Sequence, residues 1–517
     1  MTLLSDAPAR DDAPDREPRP RLAVAFAAGA AIAAGIALYA YSRSEMWLDE
    51  ALSVNIARLP LGDLRSALEH DGAPPLYYAM LHAWTGAFGT GNEAARSLSA
   101  LFGVGALVGL WFAGRRLGGT RLAWIVVVVT ATNPYAIRYA TEARMYMLEL
   151  FLVAWGIVAV QWALDRPTLA RLAPVAVITA ALVLTQYWAF YLIGVVGLAL
   201  LTVAWRDPSR RAAALRVVAA IAVGGLVFLF WLPTFLSQRE HTGTPWGDPV
   251  LPALPIGETL LGFSGGEEQE GWALLLVAFP LLLVGVFARA LDGRHLEVDL
   301  WGQPRARWFA AVGAGTLIVG TILSYLAGQA FEARYSVIVF PFFVLLVGLG
   351  ITAFTDDRVR MGVLVVVVGL GLVGGLRNAT EQRTQAGQVA AVLTAEAQPG
   401  DVVVACPDQL GPSVHRLGPG GLDEVTYPDL TSTAFVDWVD YQERLDAADP
   451  TAFAEAVVAR AGTRTIWFVT GPGYPNHQGA CEAVSAALTA RRERVGRVLP
   501  SDDYFEKPGL QQFPPGS

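Results

Sequence analysis

The sequence predicts a polytopic α-helical membrane protein followed by a small C-terminal α/β domain. Three observations predict this. Of the 517 residues, 54% are hydrophobic and only 16% charged, which is too apolar for an ordinary soluble enzyme. Apolar runs of about 20 residues, long enough to cross a bilayer, recur from residue 22 to residue 377. Beyond residue 380 the composition changes, and helix and strand patterns alternate as in a small α/β fold. The net charge of −8 is spread over loops and a polar tail with no basic block, so no nucleic-acid partner is expected.

Residues 1–21, rich in Asp, Arg and Pro, are expected to be a disordered cytoplasmic N-terminus. Arg16, Arg19 and Arg21 sit just before the first span and hold that end in the cytoplasm. No cleavable signal is evident, because the first apolar run is long enough to span. Residues 22–41 then cross outward. The next stretch, SEMWLDEALSVNIARLPLGDLRSALEHDGAPPLYY from Ser44 to Tyr78, lies in a first extracytoplasmic loop, 43–78. Within it, Ala51 to Leu68 alternates apolar and polar residues at helical spacing, which predicts an interfacial helix. Residues 74–89 are apolar but short, and predict a shallow or re-entrant helix. The span 96–116 ends in Arg115-Arg116, which belongs on the cytoplasmic side.

Further spans are predicted near 121–138, 143–164, 171–188, 190–205, 214–235, 272–290, 307–327, 335–354 and 360–377, eleven in all. The loops this places inside carry Arg166, Arg171, Arg206, Arg210, Arg211, Arg289, Arg294, Arg305, Arg307, Arg358 and Arg360. The opposite face holds the first loop, RYATEARMY (138–146), TQYWAFY (185–191), FEARYS (331–336) and the loop 236–271, long enough to act as a lid. The transmembrane domain is thus expected over 22–379 and an extracytoplasmic α/β domain over 380–517. In the latter, helices are predicted over Ala386–Ala397, Ala452–Arg460 and Gly479–Arg491, with strands over 401–406 and 465–471. Cys406 ends one strand and Cys481 opens a helix, so a disulfide between them is expected in an oxidising compartment. The GPG at 471–473 is a weak nucleotide signal.

Asp49 is the strongest candidate for chemistry. A carboxylate at a bilayer surface is costly to keep, and this one can take the proton from an attacking hydroxyl. Its neighbour Glu50 points elsewhere on a helix, and His70 and Asp71 follow in the same loop. Glu142, with Arg138, Arg144 and Tyr146, and the pair Arg334-Tyr335 form two Arg-Tyr clusters on the same face as Asp49. Together they suit a shared anionic ligand. Lys507 is the only lysine, so a phosphate in the membrane half must be held by the donor fork of arginine, by histidine or by backbone N–H groups. Glu50, His70, Asp71, Glu142, Tyr146 and Tyr187 are the candidates for lining the substrate pocket. His82 reads as a core or interfacial residue. No metal site is predicted, although adjacent Asp49 and Glu50 leave a divalent ion open.

WLDEALS, HDGAPPLYYAMLHAW, ARSLSALFG and TEARMYML resemble bacterial members of glycosyltransferase family 39. These are relatives of the protein O-mannosyltransferases and lipid A aminoarabinose transferases in the GT-C class. The resemblance covers roughly residues 22–380. It implies a polyprenyl-phosphate sugar donor, mannose being the expected sugar, and a protein, glycan or glycolipid acceptor hydroxyl outside the membrane. It also implies inversion at the anomeric carbon. The acid opening the family's first-loop pair maps to Asp49 as general base, and its Arg-Tyr pair before a late span maps to Arg334 and Tyr335. The loop 236–271 is too short to hold the carbohydrate-binding domain inserted in the eukaryotic relatives. A lipid or sugar transporter and a non-catalytic envelope-assembly subunit are the competing classes. A transporter predicts paired internal repeats, and none is seen.

Overall fold

The computed structural model describes residues 22–292, 295–477 and 479–515. The expectation of a disordered N-terminus falls on 1–21, outside the described residues. The chain forms two compact units: Met1–Ser42, Arg96–Leu232 and Pro249–Ala379 make one, and Arg43–Ala95, Pro233–Asp248 and Thr380–Ser517 the other. Most of the first loop and the first part of the 236–271 loop, counted with the membrane domain in the sequence, therefore pack with the C-terminal segment.

The first unit is a helical bundle. Nine helices among the described residues are long and apolar enough to cross a membrane. The longest, Asn92–Ala131, leaves helical geometry at Gly118 and Gly119, and the 15-residue Leu169–Val183 is shorter than a full span. Of the eleven expected spans, 121–138 falls on the part of Asn92–Ala131 beyond this break and on the separate helix Pro134–Ala140, and 171–188 on the short Leu169–Val183, so neither stands as a span-length helix of its own. The Ala333–Thr352 span is the most enclosed, with 83% of its apolar window buried against 11% for Leu22–Tyr39. Its backbone meets Gln269–Phe287 closely: a Cβ on Gly350 would stand 1.9 Å from the Leu281 carbonyl oxygen, and one on Gly285 2.0 Å from that of Leu346. Small residues at such crossings let van der Waals packing replace the hydrophobic drive that lipid removes.

The second unit is built on a five-stranded mixed sheet. Its strands run in the order Asp423–Thr426, Val402–Ala405, Ile466–Thr470, Gly509–Phe513, Val495–Val498. The first three are parallel, and Gly509–Phe513 runs antiparallel to both its neighbours. Val403, Trp467, Val469 and Leu510 pack on one face against Ala386, Val389, Leu393 and Val414. Val402, Val404, Ile466 and Phe468, which alternate with them, are also buried. A sheet covered on both faces has continuous apolar strands, which is why VVVA and IWFV were readable in the sequence.

The helix expected over Ala51–Leu68 is instead two, Leu48–Ala57 and Leu64–Asp71. Pro60 and Gly62 interrupt it, as proline removes a helical N–H and glycine raises the backbone cost. Every residue from Glu50 to Ala57 is buried, so this first helix lies inside the unit and not at an interface. The 74–89 segment is the 13-residue helix Leu76–Phe88. At 1.5 Å per residue it is about 20 Å long, short of the roughly 30 Å hydrocarbon core.

Candidate active site

In the second unit the first turn of Leu48–Ala57 carries Asp49 and Glu50. Its Trp47 N-cap makes no side-chain capping bond to the helix. The N–H of Leu48 is instead accepted by Glu506 Oε1, at 3.0 Å, from 458 residues further along the chain. Glu50 is fully buried and meets Arg383, itself buried, at 3.5 Å. The Arg383 N–H donates to Ser44 Oγ at 2.7 Å, and Glu45 Oε2 accepts the Asn92 amide at 2.6 Å. Asp49 is partly exposed, so the acid expected to do chemistry is the more accessible of the pair. Burial pushes the Glu506 carboxyl up to about 7; hydrogen bonds from Thr384, Leu48 and Ser413 oppose this, and the nearby charge of Asp49 adds to it.

The other first-loop candidates fasten the scaffold. His70 Nδ1 lies 2.7 Å from Asp437 Oδ1, and the His70 carbonyl accepts the Trp438 N–H at 3.0 Å. Asp71 accepts the Tyr78 hydroxyl at 2.6 Å. His82 Nδ1 sits 2.8 Å from the Ala57 carbonyl oxygen. Gln238, from the 236–271 loop, donates to the carbonyls of Leu68 and Ala73 at 2.7 and 3.2 Å. His241 repeats the His70 arrangement with Asp440, at 2.9 Å.

In the first unit the two Arg-Tyr clusters come together. Asn133 caps the short helix Pro134–Ala140 by accepting the Tyr135 and Ala136 N–H groups, with Pro134 in the first position, where a missing N–H does no harm. This turns Arg138 toward Glu142, at 3.4 Å. The Tyr135 hydroxyl donates to the Ala333 carbonyl at 3.3 Å, tying the Pro134–Ala140 helix to FEARYS. The Tyr139 ring lies 4.6 Å from that of Tyr135 and 4.9 Å from that of Tyr146. It lies within electrostatic reach of Arg138, Glu142, Arg334 and Glu332. Arg334 pairs with Glu332 at 3.6 Å and lies over the Tyr335 ring, 5.8 Å from its centre. The Arg144 carbonyl accepts the Ser99 hydroxyl at 3.3 Å. Tyr187 accepts the Trp231 indole N–H at 3.1 Å. Arginines clustered among tyrosines can bind an anion by charge-assisted hydrogen bonds.

Cys406 and Cys481 are joined, with Cα atoms 5.5 Å apart. His477 Nδ1 lies 3.9 Å from Cys481 Sγ, and its Nε2 is 2.7 Å from the Tyr441 hydroxyl, which donates to Asp408. Burial lowers His477 to about 4 and raises Asp408 to about 7. The two sulfurs and His477 are close enough to hold a metal ion, but the sulfurs are bonded to each other, and a metal is held by thiolates. His477 ends the short 3-10 turn Pro475–His477 and Cys481 lies in the first turn of the helix Ala480–Thr489.

No family model and no curated protein matches the sequence. Solved structures do resemble the fold. A structure of ArnT from Cupriavidus metallidurans bound to undecaprenyl phosphate aligns over 95% of this chain and 97% of its own, at 13% identity and a TM-score of 0.57. The apo state of that protein gives 0.58, at the same identity, over 95% and 98%. An oligosaccharyltransferase from Archaeoglobus fulgidus, tethered to an acceptor peptide, gives 0.51 at 10% identity, over 95% of this chain and 74% of its own. Helical membrane bundle and C-terminal sheet together therefore have the GT-C fold.

Proposed function

We propose that the protein is a membrane glycosyltransferase that moves a sugar, mannose by expectation, from a polyprenyl-phosphate donor to an acceptor hydroxyl with inversion. The observation that carries this reading is Asp49. It is the partly exposed acid on a buried helix whose next carboxylate, Glu50, is taken up by Arg383. The fold supports it, and one structural neighbour holds undecaprenyl phosphate, a carrier of the proposed class.

On this reading the acceptor oxygen attacks C1 of the sugar as its proton passes to Asp49. The bond from C1 to the phosphate oxygen breaks, and polyprenyl phosphate leaves with the electron pair. Arg334, Arg144 and Arg138 offset the growing phosphate charge, with Tyr335 beside Arg334, and Tyr146, Glu142 and Tyr187 are assigned to the substrate pocket. No metal is required, because the arginines neutralise the leaving group. The acceptor is a protein, glycan or glycolipid hydroxyl. The loops carrying Arg166, Arg206, Arg289 and Arg358 face the cytoplasm with the N-terminus, and Asp49, the loops carrying Arg138, Arg144 and Arg334, and the C-terminal domain face outward. The disulfide agrees with that orientation, since such bonds persist in oxidising compartments.

The test is transfer by purified protein in lipid nanodiscs, supplied with radiolabelled polyprenyl-phosphate mannose and detergent-solubilised envelope acceptors. Label moving from the lipid to an acceptor supports the reading. Intact labelled donor, across mannose and other polyprenyl-phosphate sugars, contradicts it.

A further inference from the structure

We propose that Glu506 is a positioning residue for Asp49, acting through the N-terminus of the Leu48–Ala57 helix. The inference rests on the assignment of Asp49 as the base. That helix begins without a side-chain cap of its own, and the first N–H groups of a helix need partners from elsewhere. Glu506 Oε1 supplies one at Leu48, the residue immediately before Asp49, and a carboxyl there also meets the positive end of the helix dipole. The adjacent residue repeats the grip: Phe505 packs edge-on against Trp47, with ring centres 5.4 Å apart.

The segment bearing Glu506 is itself fixed. Its N–H donates to the Arg383 carbonyl at 2.9 Å, and its carbonyl accepts the Gln385 N–H at 3.0 Å. Arg383 then reaches Glu50 with its side chain. Two paired backbone segments of the C-terminal part thus hold the turn on either side of Asp49, one through Leu48 and the other through Glu50. Gly471 explains the close seat of this segment. A Cβ there would stand 2.3 Å from the Lys507 carbonyl oxygen. The GPG turn thus has a packing role in the clamp. Displacing a reacting group by about 1 Å can cost on the order of 100-fold in rate, so a C-terminal domain that adds no reacting atom can still set turnover.

The test compares Glu506→Ala, Glu506→Gln and Asp49→Asn in the labelled-donor assay, together with amide hydrogen exchange across residues 46–52. Glu506→Ala is expected to lower kcat about 10- to 100-fold with donor KM little changed, and to speed exchange at Leu48 while the sheet stays protected. Glu506→Gln keeps an acceptor oxygen and restores most of the rate. If Glu506→Ala does not fold, Glu506→Asp, one methylene shorter, takes its place with the same expectation. Unchanged kcat and unchanged Leu48 exchange in a folded variant overturn the proposal. So does a Glu506→Gln loss as large as that of Glu506→Ala, since the acceptor would then not be what matters. Retained turnover in Asp49→Asn overturns the base assignment instead, and the Leu48 exchange then judges the clamp alone.

Discussion

The two clusters that carry the proposed chemistry are assembled in opposite ways. The arginine-tyrosine cluster of the first unit comes from two short peptides, 133–146 and 332–335, each folded on itself by an N-cap, an i,i+4 ion pair or a local cation–π contact. The Asp49 cluster of the second unit is assembled from positions far apart in the chain: Ser44, Leu48 and Glu50 against Arg383 and Glu506. The first is a product of local sequence. The second exists only when the tail has folded onto the first loop, so it should be the more sensitive to changes far from it in sequence.

The largest expected effect follows directly. Arg383→Met keeps the volume but leaves the Glu50 carboxylate buried without its partner, and breaking a buried pair in this way costs about 3–5 kcal/mol. Thermal melting of the purified protein should show the loss, with faster amide exchange around Glu50. A melting temperature within a degree of wild type would mean that Glu50 is satisfied by other groups. Opening the disulfide comes next. Cys406→Ala with Cys481→Ala releases a loop with a sequence separation of 75, which the chain-entropy model values at about 4 kcal/mol. The local cluster should respond in function and not in folding. Arg334→Lys removes the bidentate fork, and losing one charge-assisted hydrogen bond of about 1.5–3 kcal/mol lowers donor kcat/KM about ten- to hundredfold, with melting unchanged.

The smallest effect is a pH dependence. Glu506 has its carboxyl raised from 4.5 to about 7 in the folded protein, so the native state binds the proton more tightly than the unfolded chain. The stability this contributes is full below 4.5 and is lost as pH rises through 7. Asp408, raised from 3.8 to about 7, acts in the same direction. His477, lowered from 6.5 to about 4, acts in the opposite one, its contribution falling as pH drops from 6.5 toward 4. Between pH 5 and 8 the melting temperature of Glu506→Gln should therefore fall less steeply than that of wild type. Equal slopes would remove Glu506 from the set of titrating groups.

The same contrast accounts for what was legible beforehand. Spans, arginine-bearing loops and buried strands show in the sequence because each depends on a run of neighbouring residues. The acids of WLDEALS and the pairs in TEARMY and FEARYS were visible for the same reason. Arg383 and Glu506 were not, because each is a single charge in a polar segment whose partner is hundreds of positions away. The strands Asp423–Thr426 and Val495–Val498 escaped notice because they are short and only partly buried. The break between Leu48–Ala57 and Leu64–Asp71 is written in Pro60 and Gly62, whose backbone cost outweighs the apolar periodicity running through them.

The account stands on Asp49. The most direct measurement is single-turnover transfer from radiolabelled polyprenyl-phosphate sugar by wild type and Asp49→Asn in nanodiscs, each checked for an intact disulfide and wild-type melting. Loss of a general base predicts a rate lower by about two to four orders of magnitude with donor binding retained. A folded Asp49→Asn protein that transfers sugar at the wild-type rate would contradict the account.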